Sequence, residues 1–338
     1  MNIKKSIILA LPEDVGLSDL IAKNFEYHGF DVIYYRRQPY KYKRLTERLA
    51  NFFRKIFFGD KSYKNKQQDK EALEKLQCDI VERKTKIDYA LFIRPDTFSL
   101  DFIKQIKSHV NKTIGYQWDG LDRFPDIFDR IEIFNEFYVF DSKDILNYPE
   151  YNLKLTTNFY FDMDENSIII NNKTKKTIYF VGTHLPQRIS AINQFTESAD
   201  KVNLQINFLI GLSQKNKGKK TLYNSECIQF ISKGIKYSEN LNNVKNSDVL
   251  IDFVNNVHSG LSFRVFESIF YQKKLITNNT EVAKYDLYHE DNIYIWDGDE
   301  INTDSLRIFL NKPYHILPLE ILNKYSFKTW YSSILGID

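Results

Sequence analysis

Residues 258–279, HSGLSFRVFESIFYQKKLITNN, set an arginine and a glutamate just beyond a turn of small residues. Ser259 and Gly260 make the turn, Arg264 and Glu267 follow on the first turns of a helix, and Lys273 and Lys274 lead into an apolar strand over 275–277. A helix N-terminus presents unpaired backbone N–H groups and a partial positive charge, so an anion can rest against Ser259 and Gly260 without a metal. Arg264 adds a forked pair of donors suited to a pyrophosphate. The competing reading is a glycine turn ahead of an ordinary helix, with Glu267 solvated.

A second constellation is Trp118-Asp119-Gly120-Leu121-Asp122-Arg123, which closes an apolar strand over 113–117. A carboxylate at the carboxyl end of a parallel strand is placed as a general base facing a cleft would be. Asp119 is therefore the candidate to take a proton from an acceptor hydroxyl, with Glu13 and Asp14 as rivals at the end of the first strand. Trp118 offers a face for a sugar ring, and Asp122 and Arg123 complete the acceptor side. Against this stands a plain Asp-Gly turn with a local Asp122–Arg123 salt bridge and a buried tryptophan.

These residues need elements to hold them, and the sequence supplies a regular alternation. An apolar run over 6–11 suits a buried parallel strand. Leu17, Leu20, Ile21 and Phe25 then recur at helical spacing, Gly29 stops the helix, and a strand follows over 31–35. Further strands are expected over 87–93, 113–117, 136–141 and 153–161. The polar segment 162–176 is the expected domain boundary, after which strands restart at 177–181, 203–211, 228–231, 249–253, 275–277 and 292–296. A closing helix over 324–337 carries Tyr325, Phe327, Trp330, Tyr331 and Ile334. Strands alternating with helices in both halves argue for an α/β chain of two doubly wound Rossmann-like domains facing a cleft, 1–161 and 177–323. The turn PEDVG after the first strand is not the G-x-G-x-x-G fingerprint, which removes the usual support for a nicotinamide or flavin cofactor.

Residues 36–66 differ in kind, with eleven basic residues against Glu47 and Asp60. Leu45, Leu49, Phe52, Phe53, Ile56 and Phe57 make one apolar stripe on this basic helix. Two readings stay open: a peripheral contact with an anionic membrane through 41–58, or a helix packed on the protein's own core. Residues 61–75 read as a polar loop entering a helix over 70–82.

The 338 residues suffice for two cores, and 43% hydrophobic with 15% aromatic content belongs to a folded chain. A net charge of +3 is too balanced for a nucleic-acid partner. Cys78 and Cys227 lack metal-ligand spacing and read as thiols of a reducing compartment, and no segment reaches the ~18 apolar residues of a membrane span. The N-terminal apolar run is short and lacks a small-residue cleavage site. A cytoplasmic protein is expected, with the inner face of the plasma membrane as the site of any peripheral contact.

The glycine turn, the helix bearing a glutamate, the lysine pair and the apolar strand together resemble the donor-binding segment of GT-B glycosyltransferases, particularly bacterial enzymes that build lipopolysaccharide or capsular polysaccharide. The resemblance implies a nucleotide-sugar donor held by the C-terminal half. Glu267 would take the ribose hydroxyls, and His258, Ser259, Gly260, Leu261 and Arg264 would line the donor. Gly182, Thr183 and Arg188, in the first loop of the second half, would touch its phosphates. Many retaining members carry another glutamate where this chain has Ser259, which implies inversion. The last helix, 324–338, would return to the first domain. The implied reaction moves a sugar to a hydroxyl of a growing surface glycan or lipid-linked glycan, without a cofactor or divalent metal. Two Asp-x-Asp triplets, Asp162-Met163-Asp164 and Asp297-Gly298-Asp299, supply the pattern by which metal-dependent transferases hold a cation. A non-catalytic nucleotide-sugar-binding or scaffold protein is the alternative, and a sugar-nucleotide epimerase using His258 is a further one.

Overall fold

The computed structural model describes residues 4–12, 14–37, 41–42, 44–57, 63–81, 86–163, 175–254 and 259–337. The chain divides into two compact units. The first comprises Met1–Phe140, Asp144–Thr156 and Ile334–Ile337, and the second Asp141–Lys143 and Thr157–Ser333.

The first unit runs β1 (Ser6–Leu11), α1 (Leu17–Tyr27), β2 (Asp31–Arg36), α2 (Leu45–Phe57), α3 (Tyr63–Val81), β3 (Ile87–Ile93), α4 (Leu100–Ser108), β4 (Val110–Gln117), α5 (Phe128–Ile131), β5 (Glu136–Val139), α6 (Ser142–Asn147) and β6 (Leu153–Leu155). Its six strands are all parallel, in the order β2-β1-β3-β4-β5-β6. The order turns back between β1 and β3, so the carboxyl ends of those strands flank the switch point. Strands such as SIILAL and IDYALFI are apolar runs because helices cover both faces of a parallel sheet. Phe92, Phe98, Phe102 and Phe134 fill the core. Phe92 meets Phe98 edge to face at 5.6 Å, and truncating one such ring costs about 3–5 kcal/mol. Gly115 in β4 makes room for this packing, since a Cβ there would lie 2.6 Å from the Phe137 ring.

The second unit runs β7 (Lys176–Thr183), α7 (Ile189–Ala199), β8 (Leu204–Gly211), β9 (Ile228–Ile231), α8 (Tyr237–Lys245), β10 (Val249–Asp252), α9 (Phe263–Phe270), β11 (Lys274–Thr277), β12 (Ile293–Ile295), α10 (Thr303–Asn311), α11 (Leu319–Lys324) and α12 (Phe327–Leu335). The parallel order is β12-β11-β10-β7-β8-β9. Counting from β7 as first, this is the 6-5-4-1-2-3 order of a dinucleotide-type Rossmann sheet, with its switch point between β7 and β10. Phe180, Phe195, Phe208, Phe253 and Trp296 form its core.

Several elements differ from the sequence expectation. The polar stretch expected as a loop up to residue 75 is helical from Tyr63, because Lys, Gln, Glu and Ala favour helix even without an apolar stripe. The strand expected over 153–161 stops at Leu155. Beyond it, Tyr160 accepts from the Phe327 amide at 2.9 Å and donates to the Tyr325 carbonyl at 3.1 Å. The closing helix expected over 324–337 is α12, which begins only at Phe327, after the Tyr160 exchange at Tyr325 and Phe327; α11 is a separate helix that ends at Lys324. The aromatic face of α12 packs within the second unit, Phe159 lying 4.3 Å from Trp330 and 5.0 Å from Phe327 between ring centroids. Its last residues group with the first unit, where Lys112 Nζ donates to the Leu335 carbonyl at 3.0 Å. Most of the expected boundary segment, 164–174, lies outside the described residues. No helix among the described residues is long and apolar enough to cross a membrane.

Candidate functional site

The carboxyl ends of β10 and β11, the head of α7 and the start of α9 line a hollow in the second unit. It is lined by Arg188, Asp252, Phe253, Val254, Gly260, Ser262 and Asn279 and holds about 210 Å³ of empty space, its open mouth included. Pockets that enclose a whole ligand run to roughly 300–1,000 Å³, and this hollow is smaller than that. Its place at the switch point is where open α/β sheets put ligands.

Ser262 is the N-cap residue of α9, in extended conformation, yet its side chain makes no capping hydrogen bond. Among the described residues its buried Oγ has no partner. The helix start thus faces the hollow without the side-chain acceptor that N-cap serines usually provide. Arg188, at the head of α7, adds a cation to the same wall. Gly182 is needed beside it: a Cβ there would sit 2.7 Å from the Phe180 ring and 3.3 Å from Arg188 Nη1. Asp252 is the one carboxylate among the described lining residues, and Arg264 pairs with it at 2.6 Å.

The loop that carries Gly260 is fastened from several sides. The Ser259 amide donates to Asp141 at 2.7 Å, Asn279 Nδ2 to the Ser259 carbonyl at 3.3 Å, and Asn158 Nδ2 to the Leu261 carbonyl at 2.9 Å. The expectation that the Ser259 amide receives an anion meets a carboxylate already there, that of Asp141. Leu261 is buried rather than lining the hollow. Arg264 also departs from expectation. Its Nη1 bonds Asp252, its Nη2 donates to the Val181 carbonyl at 2.7 Å, and its guanidinium lies 4.9 Å over Phe180. It ties β7, β10 and α9 together and is not part of the lining.

Glu267 is buried on α9, its Oε1 accepting from Tyr237 at 2.5 Å and Asn240 at 3.0 Å. It is not the solvated helix residue of the alternative reading. Burial pushes its carboxyl up, against the opposing pull of the Tyr237 hydrogen bond and the Arg264 charge. Lys273 and Lys274 point away from ligand chemistry, donating to the carbonyls of Lys245 and of Asp291 and Phe309. Thr183 ends β7, and His184 Nδ1 lies 2.8 Å from the Tyr223 hydroxyl; burial, then the charge of Lys219, holds its imidazole below the usual range. His258 lies outside the described residues.

In the first unit, β3 and β4 end in an ion-pair cluster. Arg94, at a left-handed φ of 56°, forks onto Asp96 through Nε and Nη2 at 2.7 Å and reaches Asp119 Oδ2 through Nη1 at 2.9 Å. Its guanidinium lies 3.7 Å over the Phe124 ring. Arg123 takes the other Asp119 oxygen at 2.7 Å. Asp119 thus holds one guanidinium donor on each oxygen, and each oxygen keeps a further lone pair. Trp118 is half-buried at the end of β4, and Asp122 accepts from the Tyr148 hydroxyl rather than pairing with Arg123. Asp14, two residues before the Gly16 N-cap of α1, accepts from the Gly16 amide at 2.8 Å and the Ser18 amide at 2.9 Å, satisfying donors at the start of α1. Glu13 lies outside the described residues.

Of the two Asp-x-Asp triplets, Asp297 closes a turn by accepting from the Asp299 amide at 2.9 Å, and Asp162 accepts from the Lys328 amide at 2.9 Å. Asp164 lies outside the described residues. Cys227 is an exposed free thiol.

Sequence reasoning singled out Arg188 and Gly260 but not Asp252, Phe253, Val254, Ser262 or Asn279. The available signal was positional: each lies at or just past the carboxyl end of an apolar strand, or at the cap of the next helix.

No protein-family model matches the sequence, and comparison with curated proteins gives no match. Solved structures are similar over nearly the whole chain. The lipopolysaccharide outer core galactosyltransferase WaaB aligns at a TM-score of 0.55 with 12% identity, covering 98% of this chain and 99% of its own. A glycosyltransferase from Rickettsia africae aligns at 0.53 with 10% identity over 99% and 100%. A UDP-forming trehalose-phosphate synthase from Burkholderia xenovorans aligns at 0.57 with 8% identity over 99% and 98%. The chain therefore has the GT-B glycosyltransferase fold, built from two Rossmann-like units.

Proposed function

We propose that the protein is a glycosyltransferase that binds a nucleotide-sugar donor through the hollow of the second unit. The observation that carries this reading is the α9 start, with an unengaged Ser262 hydroxyl and Arg188 facing one hollow at the Rossmann switch point. As the donor's glycosidic bond breaks, negative charge grows on the departing diphosphate. Fixed amide dipoles and a guanidinium stabilise such charge without reorganising, a role that elsewhere falls to a metal. Glu267, held by Tyr237 and Asn240, is the candidate contact for the ribose. The transfer is inferred to be metal-independent and inverting, Ser259 standing where retaining enzymes of this type carry a glutamate. A surface-glycan or lipid-linked acceptor, in lipopolysaccharide or capsule assembly, is in keeping with the likeness to WaaB.

One observation favours a second reading, a nucleotide-sugar-binding protein without catalysis: Asp119 is held by Arg94 and Arg123. Incubation with a panel of labelled nucleotide sugars and glycan acceptors, with EDTA present, separates the two. Transfer, or slow donor hydrolysis, that is lost in Arg188→Ala supports the enzyme. Donor binding without turnover supports the binding protein.

A further inference from the structure

The α2 helix is mounted with its apolar side outward. Leu45, Leu49, Phe52, Phe53, Ile56 and Phe57 are each 52–78% exposed. They are six of the fourteen large hydrophobic side chains exposed among the described residues, gathered on thirteen residues of chain, so they form a patch rather than a scatter. The side turned inward is polar: Asn51 is the buried residue of α2, and its side chain donates to the Tyr42 hydroxyl. An ordinary amphipathic helix of a folded domain has the reverse arrangement. The rings support one another in the open, Phe53 stacked on Phe57 at 5.8 Å and edge-on to Phe52 at 6.1 Å.

Charge selects the occupant of this face. Arg48, Arg54 and Lys55 on α2 stand against Glu47 alone, and Arg44 precedes the helix. Packing two copies face to face would bring like charges together, whereas an anionic lipid surface accepts the rings and attracts the cations at once. We propose that α2 is an interfacial helix that seats the protein on an anionic bilayer surface, its Phe and Leu side chains among the acyl chains and its arginines at the headgroups. The proposal stands independently of the donor reading, since α2 belongs to the first unit and the hollow to the second.

The test is co-sedimentation of the full chain with vesicles of phosphatidylcholine alone and of phosphatidylcholine containing about a third phosphatidylglycerol, at about 0.1 M and about 0.5 M salt. The expected result is partitioning at least tenfold stronger on the anionic vesicles, weakened by salt. Phe53→Glu with Phe57→Glu should lose it, and Arg48→Glu with Lys55→Glu should lose the preference for anionic lipid. These positions are exposed, and an unchanged melting temperature shows that each variant is folded. Equal sedimentation of wild type and both variants overturns the proposal. So does self-association of wild type in sedimentation velocity, abolished by the same phenylalanine changes, without vesicle binding.

Discussion

Arg264 on α9 donates to Asp252 at the end of β10 across 2.6 Å, and its other terminal nitrogen reaches the Val181 carbonyl on β7. One side chain thereby fixes the helix start against both strands of the switch point. Both partners are largely buried, at 15% and 5% side-chain exposure. Arg264→Met strands the Asp252 carboxylate and should cost about 3–5 kcal/mol in urea unfolding. Arg264→Lys keeps a charge but loses the fork and should cost less, about 1–3 kcal/mol. Equal, negligible losses in both would show that the clamp is not structural.

Glu267 sets a pH dependence whose sign follows from its raised pKa. The folded state holds this proton more tightly than the unfolded chain does. Its contribution is fully present below the usual carboxyl pKa and is lost as pH rises through the raised folded value. Glu267→Gln keeps an acceptor for Tyr237 and Asn240 without the charge. From pH 4 to pH 7 wild type should therefore lose stability relative to this variant, by about 1.4 kcal/mol for each unit of upward shift. Parallel stability curves would contradict the assignment. Alanine is the wrong probe here, because it orphans the Tyr237 and Asn240 donors at about 1–3 kcal/mol each.

Lys274 behaves in the opposite range. Burial, reinforced by the nearby Lys176 and Lys312 charges, lowers its ammonium pKa to about 8. Below pH 8 the cost of burying the charge is fully present; between pH 8 and the ordinary lysine value near ~10.4 the unfolded chain binds more protons, so stability rises with pH. Wild type should gain on Lys274→Met by up to about 3 kcal/mol between pH 7 and pH 10, measured by chemical unfolding. A difference that does not change with pH would contradict the shift.

Asp119→Ala frees Arg94 Nη1 and Arg123 Nη1 together. It should destabilise the protein by about 2–4 kcal/mol while leaving nucleotide binding unchanged, since the cluster belongs to the first unit. A drop in nucleotide affinity with intact stability would assign Asp119 a direct part in the donor site.

The strand framework was legible because a parallel strand covered on both faces must be apolar along its length. Residues 6–11 and 87–93 matched their strands end to end. The α2 stripe was equally legible, but periodicity does not say whether a stripe faces core or solvent, and only the burial of Asn51 settles which side turns in. Arg264 and Glu267 were correctly placed on one helix. Their partners lie far off in sequence, Asp252 and Val181 for the first and Tyr237 and Asn240 for the second, so local pattern cannot show that one is a clamp and the other a buried carboxyl. The pairing of Asp119 with Arg94 was hidden for the same reason, since it spans β3 to β4.

The most direct measurement is the melting temperature of wild type and Arg188→Ala with UDP, GDP, CMP, ADP and dTDP, each with and without EDTA. A donor site at the α9 start predicts that at least one of these nucleotides raises the wild-type melting temperature. The shift should survive EDTA and require about tenfold more nucleotide in Arg188→Ala, the loss of one charge-assisted contact of about 1.4 kcal/mol. No shift with any nucleotide, or one that is equal in Arg188→Ala, would contradict a donor site there.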